Sequence, residues 1–187
     1  MFSGTVETLT PEQLPDSWRE GCPLSTDQLR LLRISHLGYD GEVHQGELVI
    51  NAEHADAVLG VFATLFDAGF PIERMDPVDV FDGNDDRSMA ANNTSGFNCR
   101  EVADRPGVWS QHAFGNAIDL NPLTNPYLRA DGQVLPPQGE TFIDRNVPNP
   151  GLITTGSAPV EAFASIGWEW GGNWTNPDYQ HFSANGN

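Results

Sequence analysis

The chain has 187 residues, and 39% of them are hydrophobic, with five Trp and ten Phe, enough for one domain over 1–187 with a real core. Its 26 Asp and Glu outnumber nine basic residues, all of them arginine, for a formal charge of −17. A chain this acidic does not grip a phosphate backbone by counterion release and is repelled by anionic membrane surfaces, so neither nucleic acid nor a membrane is an expected partner. The acidity by itself reads first as a solubility or salt adaptation.

No run approaches the ~18–20 apolar residues that span a bilayer. The opening stretch "MFSGTVETLT" has neither a basic n-region nor an apolar h-region, so no signal peptide is expected within it. Residues 1–27 carry Pro11, Pro15 and Pro23 and read as an irregular lead-in, with the core of the domain over 22–183. "LRLLRISHLGY", residues 29–39, reads as a strand. Leu48, Val49 and Ile50 make a second, short strand. Asn51 is then a plausible helix N-cap with Glu53 in the first turn. Val58, Leu59, Phe62, Leu65 and Phe66 recur at helical spacing, which predicts an amphipathic helix over 52–68 stopped by Gly69 and Pro71.

Residues 82–95, "DGNDDRSMAANNTS", are polar and turn-rich. Asp82, Asn84 and Asp86 fit the start of a calcium loop, but Arg87 stands where glycine is needed and Asn93 where a bidentate Glu should be. The stretch therefore reads as a solvated acidic turn. "SGFNCREV" predicts a strand. Residues 121–156 hold six prolines and read as a long surface excursion. A second helix is predicted over 157–167, with Ser157 as N-cap, Pro159 in the first turn and Gly167 at the end. A last strand falls at about 179–183. Strands interleaved with two separate helices, without repeats, predict an α+β domain.

Two segments carry chemistry. "SQHAFGNAIDLNP", residues 110–122, places His112 seven residues before Asp119. "DYQHF", residues 178–182, places Asp178 three residues before His181. A catalytic zinc takes three protein ligands from His, Asp or Glu and keeps one position open for water. The seven-residue gap suits a turn leading into a strand, with His112 on the loop and Asp119 on the strand. His181 completes the set if the last strand pairs beside Asp119. His36, His44 and His54 have no such setting and are read as structural, with His54, which opens a helix near Asp56, expected to face solvent. Trp168, Trp170 and Trp174 either line a groove or pack in the core. Cys22 and Cys99 are not in a C-x-x-C pattern, which argues against cysteine zinc ligation. In an exported protein they are expected to form a disulfide closing a long loop.

The pattern S-x-H-x-x-G-x-A-x-D over Ser110–Asp119, followed by D-x-x-H at Asp178–His181, resembles the signatures of the zinc D-alanyl-D-alanine carboxypeptidases of VanY-like type, a family that also contains L-alanyl-D-glutamate peptidases. Together with "GELVIN", "GFPIERMDPVD" and "GWEWGGNWTNPDYQHF" the resemblance covers most of residues 22–183 and is nearest to the secreted actinobacterial branch. It implies a Hedgehog/DD-peptidase-like fold, a small antiparallel sheet with helices on one face and a zinc site on the other. It implies His112, Asp119 and His181 as zinc ligands and Asp178 as general base, where many relatives have Glu. Arg100 would hold the substrate carbonyl or oxyanion, or else pair with Glu101 or Asp104. Ser110 would contact substrate, or serve as a turn hydroxyl. Trp170 and Trp174 are candidate substrate contacts. The implied substrate is a peptidoglycan stem peptide, and the implied protein a secreted or wall-associated monomer. A D-Ala-D-Ala carboxypeptidase leads, an L-alanyl-D-glutamate endopeptidase follows, and a non-catalytic zinc-binding module is the third reading, disfavoured because a structural site has no use for a base like Asp178.

Overall fold

Two long strands organise the molecule: β2 (Leu29–Leu37) and β3 (Val43–Asn51) pair antiparallel along their full length, Leu29 opposite Asn51 and Leu37 opposite Val43. The computed structural model describes residues 1–102 and 105–187. The pleat sends alternate side chains to opposite faces. Leu32, Ile34, Leu48 and Ile50 enter the main core, whereas Leu29, Leu31 and Val49 enter a smaller one with Leu9, Leu14 and Phe97. Burial on both faces explains why β3 ends in the continuous run Leu48–Ile50 rather than in alternation.

The lead-in is not wholly irregular. Residues Gly4–Glu7 form β1, which adds to the edge of β2 with Gly4 opposite Ile34. Four residues with Val6 as the one aliphatic side chain carry no period to read, and the strand exists because β2 offers an edge. Cys22 and Cys99 are joined as a disulfide, tying the lead-in to the segment just before Arg100.

Helix α1 (Ala55–Asp67) sets Val58, Val61, Phe62 and Leu65 against the sheet at i, i+3, i+4 and i+7. It starts three residues later than expected, with His54 and not Asn51 at the cap position. Asn51 stays in β3, accepts a hydrogen bond from Glu53 N at 2.9 Å and donates its side-chain amide to Phe114 O at 3.2 Å. His54 is half-buried with its ring edge on Trp168, and so is not the solvent-facing residue expected. β4 (Arg74–Met75) pairs parallel with β5 (Asn93–Thr94). Between them the acidic stretch is not a turn but a short helix, α2 (Asp85–Ala90). Asn84 caps it by accepting from Arg87 N at 2.9 Å, and Asp85 and Asp86 stand in its first turn, where the helix dipole favours negative charge. The strand expected over residues 95–102 is absent; Ser95 and Glu101 make only isolated bridges, to Asp119 and Trp109.

The second three-stranded sheet has the order β6 (Ala117–Asp119), β10 (His181–Ser183) and β9 (Glu169–Trp170), all antiparallel. Ile118 and Phe182 face the core. Helix α3 (Ala158–Ser165) lays Phe163 on Phe182 with ring centroids 4.2 Å apart, and Phe62 of α1 meets Phe163 edge-on. Phe163 is fully buried at the meeting of both helices and this sheet. Phe163→Ala is expected to lower the unfolding free energy by ~3–5 kcal/mol, read from urea denaturation as a lower midpoint at constant slope.

Residues 121–156 are less of a surface excursion than the prolines imply. Asn121, Thr124 and Asn125 are buried. The Arg145 guanidinium reaches back to Thr124 O at 2.9 Å, Phe142 O at 2.8 Å and Ile153 O at 2.9 Å, pinning the segment from within. β7 (Tyr127–Leu128) and β8 (Val134–Leu135) form a small hairpin along it. Main-chain polar groups in a long loop must find partners, and here buried side chains supply them.

Candidate active site

The site is built where the two motifs meet. His181 and Asp119 are direct cross-strand partners, so both side chains leave the same face of the sheet, opposite Ile118 and Phe182. His112 comes from the 3-10 turn Gln111–Phe114, which Ser110 caps by accepting from His112 N at 3.3 Å and which Gly115 closes in a left-handed conformation. One ligand atom from each of His112, Asp119 and His181 lies within 4.8 Å of the others, and all three residues are buried. Among the described residues this is the one His, Cys, Asp and Glu group that can hold a metal ion.

Hydrogen bonding fixes how the rings face. His112 Nδ1 lies 2.7 Å from Gly96 O. A carbonyl only accepts, so Nδ1 carries a proton and Nε2 is the atom left to face Asp119. That Nε2 is buried, makes no well-aligned hydrogen bond and lies 3.1 Å from Asp119 Oδ2. A cation between the two atoms satisfies both, a second ring proton in the absence of metal or a metal ion in its place. On the other side His181 Nδ1 is 3.0 Å from Asp119 Oδ1. The donor set of two imidazoles and a carboxylate fits zinc.

Gly96 earns its place in "TSGFNC" by close approach. A Cβ there would meet Val49 O at 2.3 Å. Phe97 N donates to that same carbonyl, so the chain passes hard against β3 while turning its own carbonyl to His112. A larger residue would push away the carbonyl that orients His112.

Electrostatics follow from the burial. Burial alone would raise the Asp119 carboxyl, but the charge of a protonated His112, and then the hydrogen bond and charge of His181, outweigh it and hold it far below the usual carboxylate range. Burial would lower His181; the hydrogen bond and charge of Asp119, with a contribution from Asp178, lift it to about 9. Asp178 is pushed up to about 7 by burial, against the pull of His181; Asp119 adds to the rise and Arg100 opposes it. Its Oδ1 is buried without a hydrogen-bond partner. The main chain at Asp178 is bridged to Tyr127 of the hairpin and donates to Gly171 O at 3.0 Å, so the carboxyl is held from two sides.

All these residues open on one cleft of about 1010 Å³. Arg100 lies in its wall with Nη2 3.0 Å from Asp85 Oδ2 of α2. Its acidic partner is therefore Asp85 and not the Glu101 considered from sequence, while Asp104 lies outside the described residues. Ser110 and Trp174 also line the cleft, and the Trp174 ring sits 5.4 Å from that of His181. Trp170 does not. It is 5% exposed in the main core and donates its indole N–H to Tyr179 O at 2.9 Å. The β9–β10 register sets Trp170 opposite the core-facing Phe182 and so turns it inward, and Trp168 stacks on Phe163. The hairpin residues Tyr127, Arg129 and Leu135 and the buried Gln180 also line the wall and carried no sequence signal as site residues.

Residues 103–184 match the family described as D-alanyl-D-alanine carboxypeptidase. The matched segment carries His112, Asp119, Asp178 and His181, with Ser110 and Trp174, and begins after Arg100 and the disulfide. A search of curated proteins and one of solved structures each return no significant match.

Proposed function

We propose that this chain is a zinc-dependent peptidase of peptidoglycan stem peptides, acting first as a D-alanyl-D-alanine carboxypeptidase. One observation carries the reading: a buried His-Asp-His group and a carboxyl poised near neutrality, Asp178, share one cleft. The carboxypeptidase match over both motifs supports the choice of substrate. The disulfide supports export, since such bonds persist in oxidising compartments.

His112, Asp119 and His181 would hold the ion. Bound there, zinc supplies Lewis acidity, polarising a peptide carbonyl and acidifying a water at neutral pH. Asp178 takes the proton of the attacking water on its unpartnered Oδ1 and returns it to the departing amine nitrogen. Arg100, steadied by Asp85, donates to the carbonyl oxygen as charge gathers on it. Ser110 keeps the His112 turn closed and offers its hydroxyl to bound peptide. Trp174 gives the substrate an apolar wall beside His181.

The bond cleaved is tested by incubating the zinc-loaded protein with a stem pentapeptide and weighing the products. Release of one terminal D-Ala is the expected result. A break after L-Ala would make it an endopeptidase, and an intact peptide with zinc bound would point to a binding module.

A further inference from the structure

Both candidate histidine ligands give their outward ring N–H to a main-chain oxygen. For His112 the acceptor is Gly96 O, contributed by the segment that crosses β3. For His181 the acceptor is Asn187 O, 3.0 Å from Nε2. Since such an oxygen only accepts, Nε2 carries a proton and Nδ1 is the atom turned to Asp119. Such outer partners fix the tautomer and the ring orientation of a metal-bound imidazole and raise its basicity.

The local sequence explains how Asn187 arrives there. β10 ends at Ser183, and Ala184 N is tied to Asn116 O at 2.9 Å. Asn185 Oδ1 accepts from Asn187 N at 3.3 Å, an Asx turn that reverses the chain. Gly186, inside the turn, has φ +72°, a conformation that favours glycine, and a Cβ there would meet Glu169 Oε2 at 2.7 Å. Gly186 and Asn187 also line the cleft. The turn therefore returns the chain from the end of β10 to the histidine that begins it.

We infer that the Asn185–Gly186–Asn187 turn is a positioning element of the metal centre, holding His181 with Nδ1 toward the metal as Gly96 holds His112. The inference rests on the metal-site reading above, and its measurement separates the two. Metal alone is the probe: Zn²⁺ affinity by chelator competition, and the visible absorption of the Co²⁺-loaded protein, which reports ligand geometry. Gly186→Val puts a β-branched residue at positive φ and opens the turn, whereas Gly186→Asn places a residue that tolerates this backbone. Gly186→Val is expected to bind Zn²⁺ ~10–100-fold more weakly and to alter the Co²⁺ spectrum, with Gly186→Asn recovering most of both. Thermal unfolding of the chelator-treated proteins checks that the fold is retained. Gly186→Val with the affinity and spectrum of the unaltered protein overturns the role of the turn. An unaltered protein that binds neither metal overturns the site and the inference together.

Discussion

Asp178→Asn is expected to keep zinc bound and to lower the turnover of a stem pentapeptide by ~10²–10⁴-fold. The substitution preserves shape and removes a cleft carboxyl whose proton affinity burial raises to near neutrality. Asp119 cannot serve instead, because its neighbours hold it far below the usual range and both its oxygens face histidines. The sign of the pH dependence also follows. A base must be ionised, so kcat/KM rises with pH through the Asp178 titration, which burial places at about 7. A bound divalent cation nearby favours the carboxylate and moves this limb below that value. The limb should vanish in Asp178→Asn. Elemental analysis and a pH–rate profile check both halves. Lost zinc would reassign Asp178 as a ligand, and unaltered turnover would remove it from the mechanism.

The site was more legible in the sequence than its surroundings. His112, Asp119, Asp178 and His181 announce themselves because metal chemistry restricts residue types, and the gap between His112 and Asp119 fits the turn-then-strand geometry found. The condition placed on His181, a last strand lying beside the Asp119 strand, is met by the pairing of β10 with β6. What the sequence hid depends on distant contacts. β1 exists because β2 has an open edge, and its four residues have no period of their own. α2 hid among polar residues because its start is a cap and an acidic first turn, and little of it is buried. Trp170 and Trp174 look alike in "WEWGGNW"; the pairing of β9 with β10 buries one, and the chain beyond it carries the other to the cleft. The partners of His112 and His181, Gly96 O and Asn187 O, are main-chain atoms, which any residue possesses and no motif marks.

His112→Ala is expected to bring metal content to background in elemental analysis, with activity lost alongside, while His54→Ala leaves the metal in place because its ring packs on Trp168 outside the site. Two donors remain after His112→Ala, and Asp119 and His181 would then close on each other as a plain ion pair. In the unaltered protein the same ion pair makes metal uptake pH-dependent. With its ring raised to about 9 in chelator-treated protein, His181 holds a proton on Nδ1 that must leave before that atom can ligate. Zinc affinity should therefore climb about tenfold per pH unit toward pH 9 and then level. Stability without metal runs the other way. A histidine with a raised pKa contributes stability that is complete below its ordinary value of about 6.5 and is lost as pH rises through about 9. Asp119, depressed, contributes throughout that window and is lost only in strong acid. Chelator-treated protein should thus unfold more readily at pH 9 than at pH 6.5, and saturating zinc should narrow or reverse the difference, since binding to the folded state is strongest where the proton no longer competes. Chelator competition and thermal unfolding at the two pH values measure both trends. Equal affinity at both would mean that His181 Nδ1 is not a metal ligand.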